Sequence, residues 1–186
     1  KELGLDGDRP LIAIISRLAG HKGLDLVHDA LCRESSFDRA DLVVLGTGEK
    51  WLEDFFCWYA GCHGNARALI RFDKALAQRI YAGADMFLMP SAAEPCGLSQ
   101  MMACRYGTLP IVRRTGGLAD SIKDCRGNKS GNGFVFDGYD SGALDYTVGE
   151  AIDMCGSAEW TDTMKRAMKC DFTWKKSAKE YLRVYA

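Results

Sequence analysis

The chain has 186 residues, with 24 Lys and Arg against 25 Asp and Glu and a formal net charge of -1. Because the two signs are well mixed, no broad basic face is available to hold duplex nucleic acid, and no apolar run approaches the ~20 residues that span a bilayer. A chain this long suits one core that buries roughly 70% of the extended-chain surface.

Lys1 to Arg9 is polar and glycine-containing, as a linker from an upstream domain would be, and leaves 10–186 as the domain proper. The chain begins at a lysine rather than a methionine, which suits a piece of something larger. Leu11 to Ile15 is a continuous apolar, β-branched run short enough for a buried parallel strand. Ser16 to Gly23 follows as a strand-to-helix loop carrying Arg17 and Lys22. In open α/β sheets ligands bind at this carboxyl end, so both cations could reach a pyrophosphate; the plain alternative is a solvated basic loop. Leu24 to Leu31 has helical spacing, and Asp41 to Leu45 is the second strand.

Gly46, Thr47 and Gly48 turn the chain into a helix over about 49–60, with Trp51, Phe55, Trp58 and Tyr59 as its expected packing face. A lone G-x-G without the third glycine and the distal acid is a weak dinucleotide signal. Ala66 to Phe72 is the expected third strand; at its end Phe72 either stacks on a purine or packs into the core. A helix over Lys74 to Gly83 leads to a fourth strand, Met86 to Met89.

The segment from Pro90 to Gly107 is the organising stretch. Pro90 and Pro95 stop strand and helix and stiffen the turn between them, and Gly97 to Tyr106 reads as a helix with Leu98, Met101, Met102 and Tyr106 facing inward. The amides of its first turn, near Gly97, Leu98 and Ser99, carry the positive end of the helix dipole, so this turn suits a phosphate. Glu94 just ahead of an anion site would be a poor neighbour unless it faces something else, such as a sugar hydroxyl. Leu109 to Val112 is the fifth strand, followed by the cationic loop Arg113 to Gly117 and a short helix over about 118–124. The Gly116–Gly117 pair permits close backbone approach to a ligand. Phe134 to Phe136 is a sixth strand, and helices over 141–155, 160–168 and 174–185 make the last third helical. Strands alternating with helices imply an α/β, Rossmann-like parallel sheet of about six strands with helices on both faces.

Eight cysteines, Cys32, Cys57, Cys62, Cys96, Cys104, Cys125, Cys155 and Cys170, include no C-x-x-C pair and read as reduced core thiols. Cys57, Cys62 and His63 are close in sequence, but no second cluster completes a tetrahedral metal set.

Taken jointly, Ser16-Arg17-Leu18 with Lys22-Gly23, Glu94-Pro95-Cys96-Gly97-Leu98 with Gln100, Arg105-Tyr106-Gly107-Thr108, and Arg114-Thr115-Gly116-Gly117-Leu118 with Asp120 carry a specific resemblance. Over nearly its whole length the chain resembles the C-terminal, nucleotide-sugar-binding half of glycogen synthases and soluble starch synthases, retaining glycosyltransferases of the GT-B fold. The resemblance implies ADP-glucose as donor, the non-reducing end of an α-1,4-glucan as acceptor, no metal and no cofactor. It also implies an intracellular protein, cytoplasmic or plastidial, with no nucleic acid or membrane as partner.

By the same resemblance Arg17 and Lys22 neutralise the diphosphate, and the Leu98 and Ser99 amides with the Ser99 hydroxyl hold its distal end. Glu94 and the Cys96 and Gly97 backbone orient the glucose, Phe72 stacks on adenine, and Gly46 and Thr115 to Gly117 line the same site. Ala92 and Ala93 stand where bulkier residues are common, Ser99 where threonine is common, and Phe72 where tyrosine is frequent. The acceptor site of such enzymes lies on an N-terminal domain, so the chain alone is expected to bind nucleotide weakly and transfer nothing. The alternatives are a UDP-sugar-using GT-B transferase and a nucleotide-binding module without chemistry; the latter has no need of Glu94.

Overall fold

The computed structural model describes residues 2–5 and 7–185. Among them are six strands, β1 (Leu11–Ile15), β2 (Asp41–Leu45), β3 (Ala66–Leu69), β4 (Met86–Met89), β5 (Leu109–Arg113) and β6 (Phe134–Phe136). Every strand pair is parallel, and the order across the sheet is β3-β2-β1-β4-β5-β6. All residues of β2 and β4 are buried, as unbroken apolar runs covered on both faces must be. The chain steps outward from β1 to β3 and then returns to lay β4 against β1, pairing Ile12 with Met86. Connections therefore leave β1 and β4 in opposite directions, and a crevice opens beyond their carboxyl ends.

The helices are α1 (Leu24–Leu31), α2 (Lys50–Cys62), α3 (Lys74–Gly83), α4 (Ser99–Tyr106), α5 (Gly116–Ser121), α6 (Ser141–Met154), α7 (Ala158–Lys169) and α8 (Trp174–Tyr185). Among the described residues no helix is long and apolar enough to cross a membrane.

Several local expectations are corrected. The third strand ends at Leu69, not Phe72, because β2 stops at Leu45, the partner of Leu69, and the Arg71 amide turns back onto the Leu69 carbonyl at 2.9 Å. α4 begins at Ser99 because Gly97 has φ of 71°. It buries Gln100, Ala103 and Cys104, while Leu98, Met102 and Tyr106 are exposed. Small side chains let this helix lie close to the sheet; Leu98, Met101 and Met102 turn to a groove shared with Met168 and Phe172, and Tyr106 stacks on Tyr81.

On α2 the buried residues are Leu52, Phe56 and Tyr59, so Trp51 and Trp58 are left exposed. Four of the eight cysteines, Cys32, Cys57, Cys62 and Cys96, are exposed rather than in the core. Burial pushes the Cys104 and Cys125 thiols up to about 12. The segment ahead of β1 forms no helix or strand in its described part, yet Leu5 is buried and Arg67 donates to the Leu3 carbonyl at 2.8 Å. Lys1 and Asp6 of the expected linker lie outside the described residues.

Candidate functional site

Two loops close over the crevice and are tied together by backbone. The β1 loop makes a 3₁₀ turn at Gly20–Lys22 and enters α1 through Gly23, whose φ is 71°. A side chain at Gly23 would overlap the Pro90 carbonyl, so the glycine sets how closely the β1 and β4 loops approach. The Ala92 amide then donates to the His21 carbonyl at 3.0 Å. Two further anchors hold the β4 loop: Arg113 Nη1 donates to the Ser91 and Ala92 carbonyls at 3.2 and 2.9 Å, and the Gly117 amide donates to the Glu94 carbonyl at 2.9 Å.

This bracing brings Lys22 and Glu94, 72 positions apart, into an ion pair of 2.6 Å between Nζ and Oε2. The Ser91 hydroxyl donates to the same Oε2 at 3.3 Å. The Lys22 and Glu94 side chains are 22% and 9% exposed, so the pair is only partly screened by water.

Two cavities flank Arg17. One, of about 330 Å³, is lined by Ser16, Arg17, Lys22, Pro90, Ser91 and Ser99. The other, of about 410 Å³, is lined by Ser16, Arg17, Gly46, Thr47, Phe72 and Lys74, among others. Arg17 is exposed between them, its Nη2 3.3 Å from His21 Nε2. Phe72 is 82% exposed, which removes the core alternative, and Lys74 Nζ lies 5.9 Å from its ring centroid. Chemically the first cavity combines cations with the N-terminal turn of α4, and the second offers an aromatic face.

The remaining candidates lie around these cavities rather than in their walls. Glu94 reaches the first through Lys22. The Cys96 and Gly97 carbonyls each accept from Gln100 Nε2, at 3.2 and 3.1 Å. Leu98 is exposed toward the α4–α7 groove. Thr115, Gly116 and Gly117 open α5, and side chains at the two glycines would overlap the Glu94 and Cys96 carbonyls. The close approach expected there from a ligand is made by the protein's own β4 loop.

The sequence places Arg113 only in a cationic rim loop and gives no role to Tyr139 or Asp25, yet the three brace the site from outside. Tyr139 donates its hydroxyl to Asp25 at 2.7 Å, and the Arg113 guanidinium lies 5.2 Å from its ring centroid. Burial, and then the Asp25 carboxylate, push the Tyr139 phenol up to about 12, so it stays protonated at neutral pH. The position of Arg113 at the end of β5, next to β4, is the signal that could have marked it. Among the described residues no three His, Cys, Asp or Glu side chains gather where they could hold a metal. His63 is stacked on Tyr59 with ring centroids 3.9 Å apart.

The sequence profile of the glycosyl transferases group 1 family matches residues 1–161. Glycogen synthase of Bacillus subtilis (strain 168) is 45% identical over 181 residues, which is 96% of this chain and 37% of that protein. Glycogen synthase of Fervidobacterium nodosum is 47% identical over 189 aligned residues, covering 100% of this chain and 39% of the relative. The chain thus spans about two fifths of the length of these curated relatives. Among solved structures, the catalytic domain of starch synthase IV from Arabidopsis thaliana, bound to ADP and acarbose, matches with a TM-score of 0.88 at 34% identity. That match covers 99% of this chain and 40% of the other. Sucrose-phosphate synthase from Thermosynechococcus elongatus, at 19% identity and a TM-score of 0.72, covering 99% of this chain and 46% of that one, shares the fold.

Proposed function

The chain belongs to the group 1 glycosyl transferases, and from that premise we propose that it is the donor-binding half of a retaining glucosyltransferase that moves glucose from ADP-glucose to the non-reducing end of an α-1,4-glucan. The observation that carries this reading is Glu94 beside Lys22 at the lip of a cavity that Arg17 and Ser99 also line. Arg17, Lys22 and the first turn of α4 neutralise the diphosphate, Phe72 covers the adenine, and Glu94 fixes the hexose.

Departure of ADP places new negative charge where these fixed positive groups already point, so the loss of one cation costs about 3 to 4 kcal/mol of barrier, hundreds-fold in rate. A carboxylate held by Lys22 and Ser91 is better suited to orient the sugar than to attack its anomeric carbon, which supports transfer on one face without a covalent intermediate. Because the chain spans about two fifths of the curated relatives it matches, on this reading the acceptor is held by a region those relatives have beyond the matched one, and the chain alone transfers nothing. Such a protein works where glucan is made, in the cytoplasm or a plastid.

Titration calorimetry of ADP, UDP and ADP-glucose into the 186-residue chain tests the proposal. ADP binds at least about tenfold more tightly than UDP, and Lys22→Ala weakens ADP about tenfold, the loss of one charge-assisted phosphate contact. Equal affinity for the two nucleotides, or an unchanged ADP affinity in Lys22→Ala, refutes the assignment.

A further inference from the structure

We infer that the Lys22–Glu94 pair is a selectivity device: Glu94 holds Lys22 when the site is empty and releases it at little cost only to a ligand that brings a diphosphate and a hexose together. This rests on the donor-site assignment above and adds a preference for donor over spent nucleotide.

The geometry sets the competition. Lys22 Nζ lies 2.6 Å from Glu94 Oε2, and Ser91 donates to the same oxygen, so this carboxylate oxygen is satisfied without a ligand. The pair is not a loose surface contact, because the backbones on both sides are tied by the Ala92–His21 hydrogen bond and by the Gly23–Pro90 approach. Lys22 also lines the cavity with Arg17 and Ser99, so a phosphate seated there competes with Glu94 for the same ammonium group.

A nucleoside diphosphate alone takes Lys22 and strips the part-buried Glu94 carboxylate of the ammonium that held it in the empty site, which is costly. A hexose on the distal phosphate supplies hydroxyl donors to Glu94, and charge-assisted O–H···O⁻ bonds replace the lost lysine contact. Once the sugar has been transferred, those donors are gone, Glu94 recaptures Lys22, and ADP is loosened. No bond beyond the transfer itself is made or broken.

The test is titration of ADP and ADP-glucose into the chain at constant ionic strength. Glu94→Gln keeps the side-chain shape but removes the charge; it binds ADP about tenfold more tightly than the unaltered chain, while ADP-glucose gains less than twofold, so the preference for the donor shrinks. In a Lys22→Met background the same Glu94→Gln change improves ADP by less than about twofold, since no ammonium is left to release. Should Glu94→Gln prove unfolded by circular dichroism, Glu94→Asp, one methylene shorter, is read instead and tightens ADP by about threefold through a lengthened pair.

Unchanged or weaker ADP binding in the folded variant overturns the inference, as does a tenfold gain that persists without Lys22, which would reflect only general charge removal. If the unaltered chain binds neither ADP nor ADP-glucose, it is the donor-site assignment that fails; if it binds both and the variants disobey, only the selectivity device fails.

Discussion

At Gly117 what matters is the side chain that is missing. Its amide donates to the Glu94 carbonyl at 2.9 Å, and a methyl group on its α-carbon would overlap the Cys96 carbonyl. The glycine therefore sets the distance between α5 and the loop that carries Glu94. Gly117→Ala must push that loop outward or bend the start of α5, and either shift moves Glu94 relative to Lys22. Overpacking of this kind costs about 1–3 kcal/mol. We expect a lowered urea midpoint together with weaker ADP-glucose binding; a variant with both unchanged shows that the loop has slack the backbone contacts do not suggest.

On the scale of elements, α4 depends on one polar residue in the core. Gln100 is fully buried, and its Nε2 donates to the Cys96 and Gly97 carbonyls and to the Ser121 hydroxyl. Gln100→Leu keeps the volume but strips those acceptors of their donor, at a cost of about 1–3 kcal/mol. Thermal unfolding should show the loss, and an unaltered midpoint would mean that water serves those carbonyls equally well. Gln100 also marks where sequence legibility stops. β1, β2, β4 and β6 lie where unbroken apolar runs put them, because burial on both faces is a property of each run by itself. The inward face of α4 was not legible, since it depends on how near the helix lies to the sheet, and closeness selected Ala103, Cys104 and Gln100 over larger apolar neighbours. The rim loops could be placed from strand-helix alternation, which sends every strand's end to one edge. The Lys22–Glu94 contact could not: it exists only because β4 returns beside β1.

Across the whole molecule the chain divides into a sheet-centred core and a terminal helix that adds nothing to it. Buried apolar residues run from Leu5 to Ala167, whereas α8 buries none, with Trp174, Tyr181, Leu182, Val184 and Tyr185 all exposed. A helix of 12 residues that buries no side chain sits near the margin of stability in water, because its nucleation cost is repaid by only a few hydrogen bonds. Its amides are then expected to exchange by local opening, while those of β1 and β4 wait for global unfolding. Hydrogen exchange followed by mass spectrometry checks this on the chain as it stands: peptides from 174–185 should reach full deuteration orders of magnitude sooner than peptides spanning 11–15 or 86–89. Dilution separates the two ways the outcome could fail. Protection of α8 that fades as the protein is diluted means that its exposed aromatics pair between molecules, whereas protection independent of concentration means that α8 packs on its own domain and that its exposure is not the state in solution. Rapid exchange at every concentration shows that α8 opens locally, without lasting support from the sheet-centred core.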